Sequence, residues 1–207
     1  MVNVLLVENS RLAQDVIERH LAQSRRYHLR TVIEQAGHAQ LTCRNGTYDL
    51  VLMDICTAAG DSGLAAAAAL KQHLPTLRVI LMTAVPEHSF LAKAKATGCD
   101  GFWYKEYGQT DLLDVLDHAM GGQPLFPDQT PSVPVGITQS SKLTQRELEV
   151  VRLLVQGCRY DEIAAALGIS PNTVKYHIKN LLSKTGHRNT IQLVVDVVSK
   201  KLILPPF

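Results

Sequence analysis

Five short apolar runs, separated by helix-like stretches, constrain the fold of the first part of the chain most. They occupy residues 2–7, 29–33, 50–53, 79–82 and 102–104. The clearest runs are continuous rather than alternating, which is typical of parallel strands buried on both faces. Apolar residues at helical spacing follow the first run. Helical patterns follow the other runs, over residues 36–44, 64–74, 90–97 and 111–120. Thr110 is predicted to cap the last of these helices. This alternation predicts a doubly wound α/β domain of five βα units.

A stretch rich in proline and glycine interrupts this pattern at residues 121–141. It contains four of the nine prolines of the chain, Pro124, Pro127, Pro131 and Pro134. Proline removes a backbone donor and glycine favours flexibility, so the stretch predicts a partly extended linker. We therefore expect a first domain over 1–121, a linker over 122–141 and a second domain over 142–207.

The charge of the chain is divided unevenly between these domains. Residues 1–140 contain 11 Lys/Arg and 14 Asp/Glu, and residues 141–207 contain 10 Lys/Arg and 5 Asp/Glu. The net charges are −3 and +5, which indicates two domains with different partners. The chain has no apolar run of about 18 residues and no basic start of a signal peptide, so we expect a cytoplasmic protein without a membrane contact. Four widely spaced cysteines and eight histidines show no metal-ligand or disulfide spacing.

Four helices are predicted in the second domain, at about 145–156, 161–167, 171–184 and 190–201. Gly168, Ile169 and Ser170 form a tight turn between the second and third helices. Ser170 is a favourable N-cap, and Pro171 suits the first helical position. Two helices joined by such a turn predict a helix-turn-helix unit.

The third helix of this domain has one apolar and one polar face. Its apolar stripe consists of Val174, Ile178, Leu181 and Leu182, and the opposite side carries Asn172, Lys175, Tyr176 and Lys179. The lysines could neutralise phosphates or donate to guanine in the major groove, and Tyr176 could pack against a thymine methyl. Ser170, Thr173, His177 and Asn180 are suited to phosphate contacts. The alternative is that the lysines only form a solvated surface; the turn chemistry and the net charge of +5 favour DNA binding.

Residues 143–201 resemble the LuxR-type helix-turn-helix. The similarity is carried by Leu143-Thr144-Gln145-Arg146-Glu147, by Glu162-Ile163-Ala164 and by the run from Leu167 to Asn180. The resemblance implies that Lys175, Tyr176 and Lys179 face the major groove of double-stranded DNA. It also implies that the fourth helix forms the contact of a homodimer on inverted half-sites. That helix carries Ile191, Val194, Val195 and Val198.

Polar residues stand at the carboxyl ends of four predicted strands of the first domain, where ligands gather in doubly wound sheets. They are Glu8-Asn9, Asp54, Thr83-Ala84 and Lys105. With the motifs Leu50-Val51-Leu52-Met53-Asp54, Leu81-Met82-Thr83-Ala84 and Gly101-Phe102-Trp103-Tyr104-Lys105, residues 2–120 resemble a CheY-like receiver domain. A receiver followed by a LuxR-type domain resembles the NarL/FixJ class of response regulators.

The receiver resemblance implies a role for each of these residues. Asp54 is the implied phosphoacceptor, Thr83 and Lys105 bind the phosphoryl group, and Phe102 holds the aromatic switch position. Mg²⁺ would be held by the positions of Glu8, Asn9 and Asp54 and by the carbonyl of Cys56.

The sequence departs from the receiver pattern at the metal site. The family usually has two aspartates where this chain has Glu8 and Asn9, and a Met-Pro pair follows the phosphoacceptor where this chain has residues 55–60. Phe102 replaces the common tyrosine. Asn9 offers a neutral carbonyl in place of a carboxylate, so the affinity for Mg²⁺ should fall.

Two modes of control remain open for such a DNA-binding regulator. In one, a histidine kinase phosphorylates Asp54 and the recognition helix is freed. In the other, the receiver works without phosphorylation as a dimerisation or ligand-sensing module. An enzyme is not expected, because the first βα loop lacks a phosphate cradle for a flavin and Cys56 stands where aspartyl-phosphate phosphatases have a second carboxylate.

Overall fold

The computed structural model describes residues 1–57, 62–107 and 110–204, except for the side chain of His88. The described chain divides into two compact units. The first comprises residues 1–84 and 89–129, and the second comprises residues 85–88 and 130–207, of which 205–207 are not described.

The first unit contains a five-stranded parallel sheet in the order β2-β1-β3-β4-β5. Its strands are β1 (Val2–Val7), β2 (Tyr27–Ile33), β3 (Leu50–Asp54), β4 (Arg78–Thr83) and β5 (Gly101–Tyr104). Its helices are α1 (Arg11–Gln23), α2 (Ala39–Asn45, after a 3₁₀ turn at Ala36–His38), α3 (Gly63–His73), α4 (His88–Ala96) and α5 (Leu112–Met120). The predicted doubly wound fold is confirmed.

Both faces of this sheet are covered, which explains the continuous apolar runs. Leu5 and Val7 point to one core cluster, and Val4 and Leu6 point to the other. All four side chains are fully buried. Alternate residues of one strand therefore serve opposite cores, as expected where helices pack on both sides of a parallel sheet.

The predicted cap of α5 was wrong by one residue. Asp111, not Thr110, is the N-cap, and its carboxylate accepts a hydrogen bond from the Leu113 amide at 2.8 Å. The Thr110 carbonyl instead accepts a hydrogen bond from the Trp103 indole at 3.2 Å. Either residue type is a good cap, so this tertiary contact decides the position.

The second unit contains a short hairpin and four helices. The hairpin strands are β6 (Pro134–Val135) and β7 (Thr138–Gln139), and a 3₁₀ turn (Ser140–Lys142) follows. The helices are α6 (Gln145–Val155), α7 (Tyr160–Leu167), α8 (Pro171–Thr185) and α9 (Thr190–Ser199). The helical part agrees with the predicted helix-turn-helix arrangement. None of the described helices in either unit is long and apolar enough to cross a membrane.

The stretch predicted as a linker makes ordered contacts at both of its ends. Near its start, the Leu125 carbonyl accepts a hydrogen bond from the Phe102 amide at 3.0 Å, beside β5 of the first unit. Near its end, Val133 and Val135 are buried in the core of the second unit. A pattern of prolines and glycines excludes a regular helix but does not reveal such contacts.

Candidate functional site

Three charged side chains meet at the carboxyl end of the parallel sheet. The Lys105 ammonium contacts the Glu8 carboxylate and lies 3.1 Å from Oδ1 of Asp54. Glu8 is fully buried and Asp54 is 5% exposed. The ammonium therefore pairs with two buried carboxylates, and this cluster is called the acidic pocket below.

The ends of the strands hold the acidic pocket in place. The Glu8 amide donates to the Ile33 carbonyl, and the Lys105 amide donates to the Thr83 carbonyl, both at 2.9 Å. The Glu8 carboxylate also accepts a hydrogen bond from the Ser10 amide at 2.9 Å. The common carboxyl edge of the parallel sheet thus brings together Glu8 after β1 and Lys105 after β5, which are almost 100 positions apart in the sequence.

The surroundings of Asp54 favour its protonated form more than water does. Burial, the largest cause, and the nearby Glu8 carboxylate raise the pKa of Asp54 to about 6, while Lys105 and the Cys56 amide oppose the shift. The pocket therefore makes Asp54 a weaker acid than a carboxyl group in water.

The other residues predicted for the first domain lie around this pocket in different environments. Asn9 is exposed, although its neighbour Glu8 is fully buried. Thr83 is fully buried, and Phe102 is 1% exposed and packs edge-on against Tyr104 with ring centroids 4.8 Å apart. Cys56 is half-buried, and residues 58–60 of the predicted metal-binding loop lie outside the described residues. In the described part of the chain, no group of three or more acidic, histidine or cysteine side chains is placed to hold a metal ion.

The second unit presents a polar helix face on α8. Lys175, Tyr176 and Lys179 are exposed, and Tyr176 retains 62% of its accessible surface. Val174 and Ile178 on the opposite face are buried in the core. The helix therefore packs through one stripe and presents a cationic face with an exposed aromatic ring.

The start of α8 is fixed by a cap. The Ser170 hydroxyl accepts a hydrogen bond from the Thr173 amide at 3.1 Å and lies 2.9 Å from the Thr173 hydroxyl. Asn172 is exposed, whereas His177 and Asn180 are partly exposed on the neighbouring side of the helix. The predicted polar residues thus surround the Lys175–Lys179 face on one helix.

Sequence reasoning missed two contacts that tie α6 to α8 and to the turn before it. The Lys184 ammonium donates to both carboxylate oxygens of Glu147, at 2.8 and 2.7 Å. Arg146 donates to the Leu167 carbonyl at 2.8 Å. The capping pattern Thr144-x-x-Glu147 was a signal for the start of α6, but the partners on the far side of the turn have no local signature.

The residues predicted for dimerisation lie on α9 and differ in exposure. Ile191 and Val195 are 73% and 62% exposed, whereas Val194 and Val198 are half-buried. Ile191 and Val195 are one helical turn apart and form an apolar strip on the surface of the unit.

Comparison with known proteins assigns both units. The family model "Response regulator receiver domain" matches residues 4–117, and the model "Bacterial regulatory proteins, luxR family" matches residues 141–197. The chain belongs to the response regulators that join a receiver to a LuxR-type domain. The response regulator protein VraR of Staphylococcus epidermidis and that of Staphylococcus aureus are each 31% identical over 163 residues, which is 75% of this chain and 76% of theirs.

Solved structures of RcsB share the fold. One, of two RcsB dimers bound to two parallel DNAs, has a TM-score of 0.64 and 21% identity, covering 96% of this chain and 98% of that one. RcsB from Salmonella enterica serovar Typhimurium, bound to promoter rprA, has a TM-score of 0.61 and 22% identity, covering 96% and 99%. The family comprises transcription regulators, and its receiver domains typically bind Mg²⁺ for phosphorylation.

Proposed function

We propose that this response regulator binds double-stranded DNA as a homodimer and reads the sequence with α8. The observation that carries the proposal is the exposed face of Lys175, Tyr176 and Lys179 on a helix whose other face is buried. Tyr176 lies between two cations on this face and retains 62% of its accessible surface. The major groove offers the guanine acceptors and thymine methyl groups that such a face fits.

The remaining polar residues support the same docking. Asn172 lies on the exposed side of the first turn of α8, next to the amide groups of the helix N-terminus that favour phosphate. Ser170 caps the helix by accepting from the Thr173 amide, and His177 and Asn180 flank the reading face. RcsB dimers of the same fold bind DNA, which supports a DNA-binding role for this chain.

Replacement of Lys175 or Lys179 by alanine should weaken specific binding. We expect a loss of about 1–3 kcal/mol for a lysine that contacts a base, and a uniform loss with a smaller salt dependence for one that contacts phosphate. Gel-shift titrations over a salt series, with a duplex selected from a random pool by the wild-type protein, measure both effects.

The exposed Lys93 of α4 in the first unit provides the matched control for these variants. Lys93→Ala removes the same charge and should leave specific binding unchanged. If Lys175→Ala and Lys179→Ala bind as tightly as Lys93→Ala, α8 does not read DNA and the proposal fails.

For the receiver, we propose control without Mg²⁺-dependent phosphorylation. Mg²⁺ takes oxygen ligands in near-octahedral geometry and is usually held by one or two carboxylates that are free to bind it. The acidic pocket offers two carboxylates, both already paired with Lys105, and Asn9 supplies only an amide at the third position. These donors fit Mg²⁺ poorly, so a dimerisation or ligand-sensing role is favoured over phosphotransfer from a histidine kinase.

We also propose that the protein catalyses no multiple-turnover reaction. The position two residues after Asp54 is Cys56, which cannot serve as the second carboxylate of an aspartyl-phosphate phosphatase. Among the described residues, the acidic pocket is a buried ion cluster of Glu8, Asp54 and Lys105.

A further inference from the structure

The first turn of α6 contacts the end of α7 and the last turn of α8. Arg146 donates from Nη2 to the carbonyl of Leu167, which ends α7 just before the turn that leads into α8. Glu147 accepts two hydrogen bonds from Lys184, which lies in the last turn of α8. Two consecutive residues of one helix thus hold the chain before the turn that leads into α8 and at the C-terminal end of α8. Arg146 and Glu147 are called the clamp below.

The Glu147 arm of the clamp is buried and held by several hydrogen bonds. The side chain is buried, and its Oε2 accepts hydrogen bonds from the amide and the hydroxyl of Thr144, at 2.7 and 3.0 Å. Burial alone would raise the pKa of Glu147, but the hydrogen bonds from Lys184 and Thr144 outweigh burial and lower it. The carboxylate is therefore charged at neutral pH, and charged hydrogen bonds are short and directional.

The Arg146 arm is oriented by a neighbour on its own helix. Glu149 accepts a hydrogen bond from Nη1 of Arg146 at 3.0 Å, which leaves Nη2 for the Leu167 carbonyl. Gly168 follows in a left-handed conformation with φ of 64° and ends α7, so the chain changes direction directly after the contact. The two terminal nitrogens of the Arg146 guanidinium thus connect α6 to the end of α7, where the turn of the helix-turn-helix begins.

We propose that Arg146 and Glu147 are positioning residues that set the orientation of α8 for reading DNA. The inference rests on the proposed function of α8. Apolar packing is non-directional, so directional contacts beside the buried stripe of α8 add to the definition of its orientation. Recognition groups must be held to about 0.5 Å by residues that are themselves fixed by packing and hydrogen bonds. The clamp supplies one directional contact at the end of α7, before the turn into α8, and a second in the last turn of α8.

Glu147→Gln tests the proposal because the change in charge and the loss of a positioning contact predict opposite changes in the affinity for DNA. The variant raises the net charge by one, so electrostatic attraction alone would tighten binding to any DNA. A positioning role predicts about tenfold weaker binding to the selected duplex, the size of one lost base contact, with no loss on a random duplex. Fluorescence anisotropy of the full chain on both duplexes measures the two affinities.

Asp161→Asn is the matched control, since it makes the same charge change at an exposed position of the second unit that is not part of the clamp. We expect it to bind the selected duplex at least as tightly as the wild type. Denaturation curves establish that each variant is folded at the assay temperature. Equal binding by folded Glu147→Gln and Asp161→Asn overturns the proposal.

Arg146→Gln carries the test should Glu147→Gln fail to fold, because Arg146 is only partly buried. The expected result is about a tenfold lower ratio of selected to random binding. An unchanged ratio in the folded variant contradicts the positioning role. If Lys175→Ala weakens binding and the clamp variants do not, only the positioning role fails; if none weakens binding, the proposed function of α8 fails as well.

Discussion

Asn9 is the exposed neighbour of the buried Glu8, at the position where the receiver resemblance implies a metal-binding carboxylate. Asn9→Asp supplies a third carboxylate beside Glu8 and Asp54. We expect the affinity for Mg²⁺ to rise at least about tenfold, since one more charged oxygen ligand is added. Isothermal titration with Mg²⁺ measures this change. Incubation with a small phosphodonor and Mg²⁺, followed by intact-mass measurement, should then show a phosphoryl group on Asn9→Asp and none on the wild type.

The control for this experiment removes the acceptor itself. Asn9→Asp combined with Asp54→Asn should take up no phosphoryl group, because the nucleophilic carboxylate is gone. Wild-type protein that is phosphorylated as fully as Asn9→Asp would show that the neutral amide suffices, and the proposed phosphorylation-independent control would be wrong.

The sequence located the members of the acidic pocket but not their pairing. Strand ends of a parallel sheet lie at one edge, so the convergence of Glu8, Asp54 and Lys105 could be predicted. That Lys105 bridges both carboxylates, and that Asn9 points to the surface while Glu8 is buried, depends on side-chain packing across three strands. Phe102 is a further example, because only the fold shows that its ring lies in the core.

At the scale of elements, prediction succeeded where the pattern is local and periodic. The strands and the four helices of the second unit follow from continuous or 3.6-residue apolar patterns. The β6–β7 hairpin was missed because two-residue strands have no measurable period. Its partners lie far away in the sequence: the Gly136 amide donates to Asp196 at 2.8 Å, and the Ile137 amide donates to the Thr185 carbonyl at 2.9 Å.

Gly136→Ala should strongly destabilise the second unit by detaching this hairpin. Gly136 has φ of +56°, and a Cβ atom there would lie 1.9 Å from the Thr185 carbonyl oxygen. Backbone atoms cannot yield as a flexible side chain can, so we expect a loss of about 2–4 kcal/mol in the free energy of unfolding. Urea denaturation of the full chain, followed by circular dichroism at a helix band, measures the loss.

Gly157→Ala separates backbone strain from the clash. Gly157 has φ of +81°, but nothing lies within 4 Å of its added Cβ. This variant should lose only about 1 kcal/mol, the cost of a left-handed conformation for alanine. Equal losses for the two variants would mean that the hairpin yields to the added methyl group and is not firmly docked.

The whole molecule combines a net charge of −3 before residue 141 with +5 from there on. The overall net charge of +2 therefore conceals a basic DNA-binding part, which is visible only when the charges are counted separately along the chain. Affinity for an operator also depends on how many copies bind together. Two linked half-site contacts give a far higher affinity than one, because the second contact forms at a high effective concentration. The exposed strip of Ile191 and Val195 on α9 is the predicted contact between copies.

Val195→Asp therefore tests the assembly rather than the fold. Val195 is 62% exposed, so the aspartate stays hydrated in the monomer and stability should change little. A carboxylate on each of two facing copies would repel its counterpart across the two-fold axis. Binding to a duplex with two inverted half-sites should fall roughly a hundredfold, while binding to one half-site should stay the same. Gel shifts on both duplexes, with sedimentation analysis of the bound species, measure these quantities.

Gln156→Glu adds the same charge at an exposed position at the end of α6 and controls for the weaker attraction to DNA. Loss of binding on one half-site as well as on two would place Val195 near the DNA instead of at the contact between copies. Unchanged binding on two half-sites would show that α9 does not join the copies. Dimerisation on DNA would then have to depend on another surface, and the apolar strip would need a different explanation.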